Sequence, residues 1–168
     1  DPPVLEWVQT IQRESKRCGE IVSNLLAFAR KQEPVMVAID LKVILERTLT
    51  IVRHKLDMQS IQLHFEPADV PAVLCDASQI EQVVIAIVVN AIEAVKDHGN
   101  IWVRTSNSDG RADLEISNDG PPIPEKVLPH IFEPFFSTKE ASSGVGLGLA
   151  VAYGIVQRHV GEIRVETD

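Results

Sequence analysis

Asp76-Ala77-Ser78-Gln79-Ile80-Glu81-Gln82-Val83-Val84-Ile85-Ala86-Ile87-Val88-Val89-Asn90-Ala91-Ile92-Glu93-Ala94-Val95 is the most regular helical stretch in the sequence. Ile80, Val83, Val84, Ile87, Val88, Ala91, Ile92 and Val95 recur at the i, i+3, i+4, i+7 spacing of one helix face, and Asp76 stands where an N-cap belongs. Upstream lie a short strand Val35–Ile39 and a helix capped by Asp40 that runs to about Met58, with Leu41, Ile44, Leu45, Leu49, Val52 and Leu56 on one face. Two strand-like runs, Ile61–Phe65 and Ala72–Cys75, lead into the central helix. Downstream, Asn100–Thr105 and Ala112–Ser117 form a hairpin around Ser108-Asp109-Gly110. A loop-rich stretch from Asn118 to Gly146 follows, broken by a short helix after Pro124, then a helix Leu147–His159 and a strand Glu162–Thr167. Strands and helices mix without strict βαβ alternation. The expected fold is an α/β two-layer sandwich, with a mixed, mostly antiparallel sheet covered on one face by helices.

Ahead of this unit, Val4–Glu33 reads as one long helix ended by Pro34. Val4, Trp7, Val8, Ile11, Cys18, Ile21, Val22, Leu25, Leu26 and Phe28 fall close to a coiled-coil or bundle seam. A lone amphipathic helix cannot bury its own stripe, so a partner helix is expected. Residues 1–33 and 35–168 are therefore read as two units. The opening Asp1-Pro2-Pro3, without Met, and a close inside a strand-like run suggest a piece of something longer.

Composition narrows the function classes. Hydrophobic residues at 45% and charged ones at 24% are ordinary for a globular protein. A formal charge of −8 argues against a nucleic-acid surface. The basic residues Arg13, Lys16, Arg17, Arg30 and Lys31 read as the wet side of the first helix. Cys18 and Cys75 are too few for a disulfide framework or a zinc site, which suits reduced thiols in the cytoplasm. No apolar run reaches the ~20 residues of a membrane span, and no signal-peptide pattern opens the chain, so no membrane contact is expected from this piece.

Three features go beyond packing. Asn90 lies beside the core stripe with Gln82, Ala86, Glu93 and Asp97; its amide oxygen suits a hard cation such as Mg²⁺, although alone it reads more readily as a surface amide. Asn118-Asp119-Gly120-Pro121-Pro122-Ile123-Pro124 directly follows a strand, where period-two alternation places Asn118 with Leu114 and Ile116 on the buried side. A base edge could partner such an amide, and a tight turn is the plainer alternative. Gly144-Val145-Gly146-Leu147-Gly148-Leu149 opens a helix, where backbone N–H groups and the helix dipole suit an anion. It is neither a Walker loop nor a Rossmann turn. The small residues Ala141 to Gly144 suit a mobile lid.

In this order and at these spacings, the features resemble the nucleotide-binding boxes of histidine-kinase ATPase domains, in the superfamily shared with gyrase, Hsp90 and MutL. Asn90-Ala91 resembles the asparagine box, Asn118–Pro124 the first glycine box, Phe132–Lys139 the phenylalanine box and Gly144–Leu149 the second glycine box. Ser15–Arg30 resembles the second helix of the dimerisation and histidine-phosphotransfer hairpin. The resemblance implies ATP and Mg²⁺ as ligands, with Asn90 holding the metal. It places Asn118 at the adenine edge and Ala94 and Ile123 on its faces, with Gly120 also among the ATP-binding residues. Gly144, Val145, Gly146, Leu147 and Gly148 would meet the phosphates, and Lys139 the γ-phosphate. It also implies a homodimer through the N-terminal helix and a response regulator as partner.

Hydrolysing relatives carry a glutamate four residues before the box asparagine; here that position is Ala86, which points to transfer rather than hydrolysis. Asn118 stands where histidine kinases usually have aspartate, which weakens exclusion of guanine, and Pro122 replaces a usual glycine. None of His54, His64, His98, His130 or His159 precedes the Ser15–Arg30 helix, so the phosphoacceptor is expected outside this sequence.

Overall fold

Two aspartates open the two long helices. Asp40 Oδ1 accepts the Lys42 N–H at 2.8 Å at the head of helix α2, Leu41–Met58. Asp76 Oδ1 accepts the N–H groups of Ser78 (3.0 Å) and Gln79 (3.2 Å) at the head of α3, Ala77–Val95. The structure, a computed structural model, describes residues 4–12, 14–15, 19, 34–138 and 145–167, and those of them before residue 34 are helical (α1). The strands are β1 Val37–Ile39, β2 Gln62–Glu66, β3 Val73–Cys75, β4 Asn100–Ser108 and β5 Arg111–Asn118. A single 3₁₀ turn, Leu128–His130, stands for the short helix expected after Pro124, and α4 spans Gly148–Arg158.

The described strands form two sheets. β2 pairs parallel with β4, which pairs antiparallel with β5; β1 and β3 make a separate antiparallel pair. The mixed, mostly antiparallel character is as expected, but the single sheet is not. The short β1 packs instead over the start of α2, where Ile39 and Val73 surround Leu41, Ile44 and Cys75. The β4–β5 hairpin closes through Asp109 (φ 55°) and Gly110 (φ 81°), the two left-handed residues of a type I′ turn.

Ile101, Val103 and Thr105 point from β4 into the core, while Asn100, Trp102 and Arg104 line the open face. Leu45, Leu49, Val52 and Leu56 of α2 meet Val84, Val88, Ala91 and Ile92 of α3 over Ile101 and Val103. At roughly 1.5–3 kcal/mol per fully buried aliphatic side chain, this layer dominates stability. α3 is covered on a second side, where Val83 meets Val151, Ala152 and Ile155 of α4. Burial on two sides explains why α3, by length and composition, also passes for a membrane-crossing helix.

One expected strand is missing. Residues 162–167 make no ladder: alternation selects which side chains turn inward, but a strand also needs a neighbour's N–H and C=O groups in register. What the segment does supply is the Thr167 hydroxyl, which accepts the Ile123 N–H at 2.9 Å. On α1, Val4, Trp7, Val8 and Ile11 are each more than half exposed. The remainder of that stripe and the basic residues Arg13, Lys16, Arg17, Arg30 and Lys31 lie outside the described residues.

Candidate nucleotide site

Ala86, Asn90 and Ala94 follow one another at i, i+4 and i+8 along one face of α3. Gly148, the first residue of α4, lies against Ala86: a Cβ built on it would stand 3.8 Å from the Ala86 Cβ. Gly120 lies against the far end, where a Cβ would come within 3.0 Å of the Ala94 carbonyl carbon. Eight residues of helix separate these contacts, or about 12 Å at ~1.5 Å per residue. Asn90, half-buried, stands midway.

The turn after β5 is held by a carboxamide and a carboxylate. Asn118 Oδ1 accepts the Gly120 N–H at 2.9 Å, an Asx turn. Asp119 accepts the backbone N–H of Asn100 through Oδ1 and its side-chain N–H through Oδ2, both at 2.8 Å. These donors hold the Asp119 carboxyl below its ordinary range, the Asn100 side-chain bond first. Asn118 is exposed, not on the buried side as alternation predicts. The strand ends at Asn118, and the Asx turn bends its amide back onto Gly120.

The other glycine box is joined to the phenylalanine box. Phe135 N–H donates to Gly146 O at 2.9 Å, and both residues are left-handed, φ 67° and 69°. A side chain at Gly146 would meet the backbone of Phe135 and Phe136, so only glycine fits. Val145 is half-buried and Leu147 buried, and no side chain caps α4, which leaves its first-turn N–H groups for an anion. Phe132 packs on Tyr153 of α4, ring centroids 5.1 Å apart. Lys139 and Gly144 lie outside the described residues.

Sequence reasoning missed Asn100, although a signal existed. The two-residue Asp109-Gly110 turn sets the hairpin register, and one step beyond the Ile101–Asn118 pair puts Asn100 opposite Asp119. It also missed what converges on Asp76. Asp76 Oδ2 accepts the Val35 N–H (3.0 Å), and the Asp76 N–H donates to His159 Nε2 (3.0 Å), whose Nδ1–H donates to Ile155 O (2.8 Å). No signal within either segment reveals these pairings. Among the described residues no three His, Cys, Asp or Glu side chains converge as a metal site. A groove between α2 and β2, lined by Glu46, Leu49, Thr50, Arg53, Leu63 and Phe65, holds none of the box residues.

The family described as histidine kinase-, DNA gyrase B- and HSP90-like ATPase matches residues 75–168, more than half of the chain and every box. The chain belongs to this ATPase family. Within it, the similar proteins are histidine kinases. Sensor histidine kinase ZraS of Escherichia coli O157:H7 is 34% identical over 161 residues, covering 95% of this chain and 35% of its own length. The catalytic domain of histidine kinase ThkA superposes with a TM-score of 0.67 at 31% identity, over 74% of this chain and 81% of that one. ThkA in complex with the response regulator TrrA gives a TM-score of 0.78 at 28% identity, over 99% of this chain and 50% of that one. The chain thus spans about a third of the curated relative it matches.

Proposed function

We propose that this chain loads MgATP and passes the γ-phosphate to a histidine outside its 168 residues, for relay to a response-regulator aspartate. The observation that carries the proposal is the single face of α3 that meets Gly148 at one end and Gly120 at the other. The ~12 Å between them suits a nucleoside triphosphate laid along the helix. Asn118 and Gly120 would meet the base edge, with Ala94 and Ile123 against its faces. The backbone from Gly144 through Val145, Gly146, Leu147 and Gly148 would meet the phosphates at the uncapped head of α4. Lys139 would reach the γ-phosphate.

Asn90 offers a neutral oxygen halfway along, which fits a magnesium ion that keeps phosphate oxygens and waters as its other ligands. Bound there, Mg²⁺ would neutralise charge on the phosphates. Ala86 brings no carboxylate to the phosphate end to activate water, which favours transfer over hydrolysis. Phosphoryl transfer depends mainly on such positioning and charge neutralisation.

Residues 1–33 would be the second helix of a dimerisation hairpin and 35–168 the ATP-binding domain of a cytoplasmic kinase portion. The exposed Val4, Trp7, Val8 and Ile11 support a homodimer through α1. The ThkA–TrrA complex supports a response regulator as partner. ATP titrated calorimetrically with and without Mg²⁺ into the wild type and Asn90→Ala tests the site. Mg-dependent binding that Asn90→Ala weakens is expected. Mg-independent binding removes Asn90 from its role, and absence of binding refutes the proposal. Incubated with MgATP, the chain alone should form no phosphohistidine.

A further inference from the structure

Asn118 has its amide orientation decided by its neighbour. The Gly120 N–H can only donate, so the atom facing it must be Oδ1, which has one lone pair engaged, and Nδ2 is the polar atom left wholly unengaged for a ligand. Among the described residues the Asn118 side chain makes no other hydrogen bond. A nearby carboxylate could have supplied an acceptor instead, but both oxygens of Asp119 are held by Asn100. Asn100 is anchored in turn, its Oδ1 2.8 Å from His64 Nε2 on β2. Gly120 is required for the arrangement, since a Cβ there would come within 2.7 Å of Asn118 Oδ1.

We infer that the base end of the site takes 6-oxopurine nucleoside triphosphates, those of guanine and hypoxanthine, on equal terms with ATP, because Asn118 presents a donor while Asn100 sequesters Asp119. It rests on the placement of the base at Asn118 proposed above. An N–H donor at this edge bonds adenine through N1 and a 6-oxopurine through O6. A carboxylate there would accept from the adenine amino group and repel O6. Asn118 is thus a specificity-determining residue and Asn100 a positioning residue that acts through Asp119.

The test is calorimetric titration of the chain with ATP, GTP and ITP in excess Mg²⁺. GTP and ITP are expected to bind within about threefold of ATP. Asn118→Asp should weaken GTP and ITP relative to ATP by at least about tenfold, because two facing acceptors cost more than an unused contact. Asn100→Ala should raise the ATP-to-GTP ratio by releasing Asp119 Oδ2, while the backbone N–H at residue 100 still holds Oδ1, and adding Asp119→Ala should restore it. Each readout is a ratio on one protein, so general loosening cancels. A wild type that binds GTP more than about threefold weaker than ATP overturns the inference. So does a ratio that neither Asn118→Asp nor Asn100→Ala moves. Failure of all three nucleotides to bind refutes the nucleotide site itself, and ATP binding with GTP excluded refutes only the base-edge assignment.

Discussion

Gly146→Ala separates fold from site with a size the structure supplies. The new Cβ would stand 2.5 Å from Phe136 O, 2.7 Å from Phe135 C and 2.8 Å from Phe136 C, all backbone atoms with little room to yield. Holding an L-residue at φ 69° adds about 1–2 kcal/mol. Overpacking adds about 1–3 kcal/mol, so the total is about 2–5 kcal/mol. The strain is relieved only if Phe135 gives up its bond to Gly146 O, which also dismantles the join between the two boxes. At ~2–4 °C per kcal/mol for a chain of this size, the melting temperature falls by about 4–20 °C. Gly148→Ala is the matched control. Its Cβ would make an ordinary 3.8 Å contact with Ala86, and alanine is the better helix former. Its melting should stay near wild type while ATP affinity drops, because the methyl would stand where the proposed site places the phosphates. Thermal melts by far-UV circular dichroism and ATP titrations at low temperature distinguish the two. If both variants melt together, or if Gly146→Ala melts within about 2 °C of wild type, the strain argument is wrong.

Three further outcomes follow from the packing and the caps. Ile92→Ala empties a fully buried position between α2, α3 and β4 and should cost about 2–5 kcal/mol in urea unfolding. His159→Ala removes the acceptor of the Asp76 N–H and the donor to Ile155 O, and should cost about 1–3 kcal/mol in the same assay. Asp76 has its carboxyl pKa lowered, first by the Ser78 hydroxyl bond and then by the Val35, Gln79 and Ser78 N–H groups. A depressed folded pKa contributes stability that is complete above the unfolded value of about 3.9 and is lost as pH falls through the folded one. Urea midpoints measured from about pH 5 downward should therefore fall less steeply in Asp76→Asn, which still caps α3 but has no proton to take up. Identical slopes would remove Asp76 from the acid transition and leave Asp119 and Glu162, whose pKa values are also lowered.

Much of the domain was legible because its signals are local. Asp40 and Asp76 cap helices that begin at the next residue, as a short carboxylate ahead of an apolar period dictates. The Asp109-Gly110 pair makes the left-handed turn for which those residues are suited. The glycine boxes could be located because glycine marks close backbone approach, and Gly120 against Ala94 and Gly146 against Phe136 are such approaches. Residues 162–167 misled because inward-facing alternation is a local property, while a ladder needs a neighbouring strand in register.

The amino-acid order alone determined where the helices start and how the hairpin turns, since those energies are settled within a few residues. It did not determine which atom of the Asn118 amide is engaged by the chain and which is left free, or that Asn100 occupies Asp119. A carboxamide can donate or accept equally well, and only the tertiary arrangement brings the Gly120 N–H and the β4 terminus to it and makes the choice.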